Sequence, residues 1–250
     1  MPTSTSHHRG PSPEADVLPA FGRLCRASVG RLTTADNVAA RRALPTVSSR
    51  RTATAAAVTS LADVHDSLWT AATHHPFLDA VRDGTITDSA FDRWLAQDAL
   101  FVADLLTFQA RLLARAPRQA QAALVGGCSA LVAELDWFED KAARRGLELD
   151  APPLPATLAY RELLQRLDTE PYEAAMTALW VIERVYLLAW TSAASDSTPF
   201  GEFVEHWSTP EFADYVAALG DLAAPDTHED LVGDVLALEV AFWDMALSAD

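Results

Sequence analysis

The sequence is organised around one apolar stretch, Ala178-Leu-Trp-Val-Ile-Glu-Arg-Val-Tyr-Leu-Leu-Ala-Trp190. It contains no Gly or Pro and is typical of the middle of a long helix. One face is defined by apolar residues at steps of three and four, namely Leu179, Ile182, Tyr186 and Trp190. Glu183 lies on the same face, and burying an unpaired carboxylate costs several kcal/mol. Either a partner meets Glu183 in the folded protein, or the helix turns Glu183 toward solvent.

Composition favours one helical domain with an acidic surface. Half of the 250 residues are hydrophobic, which is enough for a sizeable core, and Gly is scarce. Residues 1–58 carry eight Arg and three acidic residues, whereas residues 59–250 carry eleven basic and thirty-two acidic residues. An acidic surface of this kind repels nucleic acids and anionic membranes, so we expect neither as a partner.

The N-terminal segment and the cysteines bear on localisation. Residues 1–58 are rich in Arg, Ser, Thr and Ala with weak hydrophobic periodicity, and we expect no fixed fold there. A transit-like segment and a start codon placed too far upstream are the alternatives. Cys25 and Cys128 have no metal or redox spacing, no apolar run reaches the length of a membrane span, and no secretory signal is recognisable. We therefore expect a cytoplasmic protein.

Helix signals predict a bundle of about eight helices over residues 59–250, with no strand and no internal repeat. Pro76 and Pro117 stop two helices, Thr87-Asp88-Ser89 provides an N-cap, and Gly146 closes a helix as its C-cap. The predicted helices are 59–75, 77–82, 88–116, 118–145, 156–167, 171–194, 200–207, 210–222 and 229–247. The Gly126-Gly127 pair inside one of them indicates close packing or a kink.

Three of these helices carry an acid on an apolar face. Asp98 lies among Trp94, Leu95, Phe101, Val102 and Leu105, and Glu239 lies between Leu236 and the Phe242-Trp243 pair. Glu183 is the third. One such acid usually marks the edge of an amphipathic face or a capping partner. Three on separate helices indicate a site in the bundle core, where such side chains converge.

The partners of these acids decide the kind of site. The Arg residues and Lys141 do not share their faces, so internal salt bridges are an incomplete answer. A cationic or donor-rich ligand would satisfy the acids, or neighbouring acids would keep one of them protonated. Metal is disfavoured because no His follows a Glu at the spacing of di-iron bundles, and His74, His75 and His206 suit capping or surface roles. Most of the seven Trp are predicted to be core, although some could form a slot for a planar ring.

An ordered set of motifs over residues 65–247 resembles the TenA-type thiaminase II family of the haem-oxygenase-like fold. The motifs are His74-His75-Pro76-Phe77, Asp83-Gly84-Thr85, Gln97-Asp98, Ile182-Glu183-Arg184-Val185-Tyr186, Trp207 with Glu211-Phe212, and Glu239 with Phe242-Trp243. The resemblance implies hydrolysis of a 4-amino-2-methylpyrimidine with a leaving group on its 5-methylene, as part of thiamin salvage. It implies no cofactor, and a homotetramer or dimer.

The resemblance also implies residue roles. Asp98 matches the acid that binds the pyrimidine amino group and ring nitrogen, and Glu239 the acid at the reacting carbon. Tyr186 matches a tyrosine that hydrogen-bonds the catalytic group, and Tyr160 matches a further site tyrosine. Two family tyrosines are replaced here, by Phe101 and Trp207, which keep a ring but lose the hydroxyl.

The largest departure concerns the family nucleophile. The Cys of the main branch falls at Ile182, with Glu183 next to it. The sequence therefore resembles the branch with Glu in place of Cys, which acts on aminomethyl- or formylaminomethyl-pyrimidine. Without a thiolate, water must be the nucleophile. We expect Glu183 and Glu239 to share the acid and base roles, in an order the sequence does not decide. The alternatives are a PqqC-like oxidase of the same fold and a non-catalytic pyrimidine-binding bundle.

Overall fold

A computed structural model describes residues 66–248 of the protein, which form nine α-helices, one 3-10 helix and no strand. Seven of these α-helices have eight or more residues. The helices are α1 (Asp66–Thr73), α2 (Pro76–Arg82), α3 (Asp88–Ala114), α4 (Arg118–Arg145), α5 (Pro155–Leu167), α6 (Tyr172–Ser192), α7 (Gly201–Trp207), α8 (Pro210–Gly220) and α9 (Glu229–Leu247), with the 3-10 helix Pro225–Thr227 before α9. The predicted all-α class is confirmed.

Local capping fixes most helix ends where the sequence placed them. Thr87 caps α3 by accepting a hydrogen bond from the Ala90 amide at 3.2 Å, and Gly146 closes α4 with a φ of 66°. The other observed bounds, the start of α1 apart, differ from the predicted ones by no more than two residues, as where α3 stops at Ala114 and α8 at Gly220, and the 3-10 helix was not predicted. The predicted tail 1–58 and the predicted helix residues 59–65 lie outside the described residues.

The apolar stretch 178–190 forms the middle of α6, the central helix of the bundle. From Ala174 to Glu183 every residue of α6 is buried, and Tyr186 and Trp190 are buried as well. Helices α1, α8 and α9 pack around α6, with α7 at its C-terminal part, while α3 and α4 form the most extensive helix pair. A helix that is apolar on nearly all sides has to lie in the core, and this places Glu183 inside the protein.

The two adjacent glycines of α4 differ in their surroundings. A Cβ at Gly127 would overlap Nε2 of Gln109 and the hydroxyl of Tyr215, whereas a Cβ at Gly126 would meet nothing within 4 Å. Gln109 Nε2 donates to the Leu124 carbonyl at 3.0 Å and to the Tyr215 hydroxyl at 3.1 Å, so these atoms are held in place. The close packing around Gly127 accounts for the absence of a side chain at this position.

We expect Gly127→Ala to lower the free energy of unfolding by about 2 kcal/mol or more, since overpacking typically costs 1–3 kcal/mol and a buried hydrogen-bonded group must move here. Gly126→Ala is the matched control and should raise it by about 0.5–1 kcal/mol, the usual gain for Ala over Gly within a helix. Urea unfolding followed by circular dichroism measures both variants. Equal effects of the two substitutions would contradict the packing assigned to Gly127.

Candidate active site

Four carboxyl side chains from four helices are buried together in the bundle. They are Asp98 on α3, Glu134 on α4, Glu183 on α6 and Glu239 on α9, with exposures of 1%, 7%, 6% and 4%. The electrostatic influence of Glu134 and Glu239 reaches both Asp98 and Glu183, so the four side chains form one cluster. The sequence predicted three of these acids to be buried on facing helices, and it missed Glu134.

Three of the acids are held by aromatic side chains from other helices. The Tyr186 hydroxyl donates to Asp98 Oδ2 in a short hydrogen bond, and the Tyr160 hydroxyl donates to Glu239 Oε1 at 2.5 Å. Trp207 Nε1 donates to Glu134 Oε1 at 2.7 Å. Tyr160, Tyr186 and Trp207, all predicted as site residues, therefore fix the acids. The resemblance implied that Tyr186 hydrogen-bonds the catalytic group, whereas in the structure Tyr186 hydrogen-bonds Asp98, the acid expected to bind the pyrimidine.

Two acids keep unused hydrogen-bonding capacity. Asp98 Oδ1 is buried with no partner within the described residues. No hydrogen bond from any of residues 66–248 reaches the Glu183 carboxyl group, and no Lys or Arg of that range pairs with Glu183 or Asp98. Arg184 points away and lies over the rings of Trp69 and Trp180, 5.7 Å from each centroid. Buried acceptors without donors are rare in folded proteins, and a bound ligand or water is one explanation for those in this cluster.

Burial makes the carboxyl groups of this cluster weak acids. Desolvation raises the pKa of Glu183 to about 8, and the neighbouring Glu134 and Glu239 add to the shift. Desolvation also raises the pKa of Glu239 to about 8, against the opposing hydrogen bond from Tyr160. The pKa of Asp98 is raised well above its usual range, chiefly by desolvation. Desolvation raises the pKa of Glu134 to about 7, the smallest of these shifts, and the hydrogen bond from the Trp207 indole opposes the rise.

A cavity of about 20 Å³ lies against this cluster. Its walls are Phe101, Val102, Leu105, Leu131, Glu134, Ile182, Glu183, Tyr186, Trp207 and Phe212. Asp98 and Glu239 lie behind the wall. Asp98 is hydrogen-bonded to the wall residue Tyr186. Glu239 is hydrogen-bonded to Tyr160, whose ring centroid lies 4.6 Å from that of the wall residue Phe101. The volume suffices for one water molecule, whereas an engineered cavity that binds benzene measures about 150 Å³. A ring-sized ligand therefore requires wall side chains to move.

The sequence contained a signal for Glu134. Leu131, Glu134 and Phe138 follow each other at steps of three and four, so Glu134 lies on an apolar face of α4 in the same way as the other three acids. This pattern is harder to recognise because Glu139, Asp140 and Asp136 nearby make the helix appear amphipathic. Phe212 of the cavity wall was also missed as a site residue.

The histidines take structural positions. His75 caps α2 by accepting a hydrogen bond from the Phe77 amide at 3.2 Å, as expected of a capping residue, and His206 stacks on Trp137 with centroids 4.0 Å apart. Among residues 66–248, no three His, Cys, Asp or Glu side chains form a group that could hold a metal ion. Within the same range, no helix is both long and apolar enough to cross a bilayer.

Comparisons with known proteins agree on one family. Residues 62–249 match the TENA/THI-4/PQQC family. A Glycine max protein named "Probable bifunctional TENA-E protein" is 34% identical over 205 residues, which cover 73% of this chain and 89% of that protein. An aminopyrimidine aminohydrolase of Halalkalibacterium halodurans is 26% identical over 213 residues, covering 75% and 93%. The solved structure of a Pyrococcus furiosus TenA homologue superposes with a TM-score of 0.70 at 25% identity, covering 76% of this chain and 99% of that one.

Proposed function

The chain belongs to the TENA/THI-4/PQQC family, and we propose that it hydrolyses 4-amino-5-aminomethyl-2-methylpyrimidine, or the N-formyl form, to the hydroxymethyl pyrimidine in thiamin salvage. The observation that carries this proposal is Glu183, a buried carboxyl group on the cavity wall without a hydrogen-bond partner among the described residues. A site built from carboxyl groups with no paired Lys or Arg suits a ligand rich in N–H donors.

Asp98 is the proposed anchor of the pyrimidine ring. An aminopyrimidine offers an exocyclic N–H and, when its ring nitrogen is protonated, a second N–H beside it. These two donors suit the two oxygens of one carboxylate. Asp98 Oδ1 is buried without a partner, and Oδ2 is already oriented by Tyr186. Phe101 and Trp207 on the wall supply rings against which the pyrimidine can stack.

Glu183 and Glu239 are the proposed proton-transfer groups. Water attacks the 5-methylene, a C–O bond forms, and the C–N bond breaks with its electron pair passing to nitrogen. One carboxylate takes a proton from water, and the departing nitrogen leaves as ammonia, which receives a proton to become ammonium. For the protonated amine the balance is R–CH2–NH3⁺ plus H2O giving R–CH2–OH plus NH4⁺. Carboxyl groups with a pKa of about 8 can exist in both states near neutral pH, which this exchange requires.

The Glu-for-Cys branch is part of the proposal. Ile182 lines the cavity, and the resemblance assigns this position to the nucleophilic Cys of the main branch. Cys128 lies on α4 and is absent from the cavity wall. A covalent thiolate route is therefore replaced by direct attack of water. We expect the aminomethyl pyrimidine to be a better substrate than intact thiamin.

The test is turnover by the purified full chain. Incubation with aminomethylpyrimidine should give hydroxymethylpyrimidine and ammonia in equal amounts over many cycles, measured by chromatography and by an ammonia assay. Parallel incubations with the formylaminomethyl form and with thiamin establish the substrate order. Absence of hydroxymethylpyrimidine from both aminopyrimidines, in protein whose fold is verified by circular dichroism, would refute the proposed function.

A further inference from the structure

Glu134 has no role in the function proposed so far, although it shares the cavity wall with Glu183. It is 7% exposed and accepts a hydrogen bond from Trp207 Nε1 at 2.7 Å. Resting on the proposed function, we propose that Glu134, held by the Trp207 indole, selects substrates that carry a protonated aminomethyl group over their neutral N-formyl counterparts.

The hydrogen-bond donors distinguish Glu134 from the other acids. A tyrosine hydroxyl can donate or accept, so Tyr186 with Asp98 and Tyr160 with Glu239 are satisfied whether or not the carboxyl group is protonated. An indole N–H only donates, and it therefore favours the ionised form of Glu134. Glu134 is also the acid of this cluster with the smallest upward shift, to a pKa of about 7.

The groups that face Glu134 leave its charge uncompensated by protein. Asp98 faces it from α3, and Glu183 and Tyr186 face it from α6. Lys141, two turns along α4, pairs with Glu202 at 2.6 Å. No cation of residues 66–248 pairs with Glu134, so a charge carried by the ligand is its available counter-ion.

A protonated amine meets this requirement and a formamide does not. The alkyl amine of lysine has a pKa of about 10.4. The pyrimidine ring withdraws electrons and lowers this value for the aminomethyl group, which still enters mainly as an ammonium at neutral pH. An N-formyl group carries no charge and leaves a buried carboxylate uncompensated, which costs far more than a lost neutral hydrogen bond.

Glu134→Gln isolates this role. The amide keeps an oxygen that can accept from Trp207, so the fold should persist, but the charge is lost. We expect the dissociation constant for aminomethylpyrimidine to rise by about 100-fold, in line with the loss of a buried charge pair. The dissociation constant for 4-amino-2,5-dimethylpyrimidine, which has a methyl group in place of the aminomethyl group, should change by less than about 3-fold, because this ligand forms no charge pair with Glu134. Calorimetry measures both ligands without requiring turnover.

Turnover provides the second readout. In Glu134→Gln, kcat/KM for the aminomethyl substrate should fall by about 100-fold while that for the formylaminomethyl substrate changes little. Trp207→Phe removes the donor and should move the pH midpoint of amine binding upward. Trp180→Phe is the control, because Trp180 is an equally buried indole away from the cavity wall. It should leave that midpoint unchanged.

The outcomes separate the two proposals. If the wild-type chain binds the amine selectively through Glu134 but releases no hydroxymethylpyrimidine, the selection stands and the hydrolase fails. If the chain is an active hydrolase, yet Glu134→Gln weakens the charged and neutral ligands equally or weakens neither, the role of Glu134 is refuted. The same holds if the wild-type chain shows no preference for the amine over the dimethyl compound.

Discussion

Glu183→Gln should lower kcat for aminomethylpyrimidine by about 1,000-fold or more, within the range attributed to positioned acid–base groups. The amide has the size of the acid and can fill the same buried space next to Ile182 and Tyr186, but it can neither release nor accept the transferred proton. The dissociation constant for substrate should change by less than about 5-fold, since Asp98 and the aromatic residues Phe101 and Trp207 of the cavity wall are unchanged.

Stability supplies the control for this variant. Because Glu183 is buried without a hydrogen bond from the described residues, its ionised form destabilises the folded chain. Glu183→Gln should therefore melt at a higher temperature than wild type at pH 8, as expected where a functional group is kept at a cost in stability. Steady-state kinetics, calorimetric binding and thermal melting measure the three effects. Full activity of the variant would exclude Glu183 from the reaction.

Local signals in the sequence were sufficient for the helices but not for the contacts between them. Thr87, Pro117 and Gly146 act on neighbouring backbone groups, so the ends they specify were predictable within a few residues. Burial of Asp98, Glu183 and Glu239 was predictable as well, because each shares a face with large apolar residues.

The aromatic partners of the acids were not predictable from spacing. Tyr186 and Asp98 are 88 residues apart in the chain, and Trp207 and Glu134 are 73 apart. Whether they meet depends on how α3, α4, α6 and α7 cross in space, which periodicity along one helix does not encode. The resemblance to a family implied that Tyr160, Tyr186 and Trp207 are site positions, but the hydrogen bond from Trp207 to Glu134 could be found only in the structure.

The buried acids also determine how stability depends on pH. A carboxyl group whose pKa is raised on folding keeps a proton that the unfolded chain has already released, so the free energy of unfolding falls as pH rises from the unfolded pKa to the folded pKa and is level above it. With folded pKa values of about 7 for Glu134 and about 8 for Glu183 and Glu239, against an unfolded value of about 4.3, the fall begins at roughly pH 5 and is complete only above about pH 8. His206, with its pKa lowered to about 4 by burial and by Lys141, has the opposite effect, but only below pH 6.5.

We therefore expect the free energy of unfolding to drop by about 3 kcal/mol or more from pH 6.5 to 8.5, since one extra bound proton contributes about 1.4 kcal/mol per pH unit. The melting temperature should fall by roughly 6–12 °C for a chain of this size. Glu183→Gln should flatten the profile, whereas Glu162→Gln, which removes the same formal charge from an exposed position of α5, should leave its slope unchanged. A wild-type profile that is level or rising over this interval would show that the four carboxyl groups ionise freely, and the acid–base roles assigned to them would fail with it.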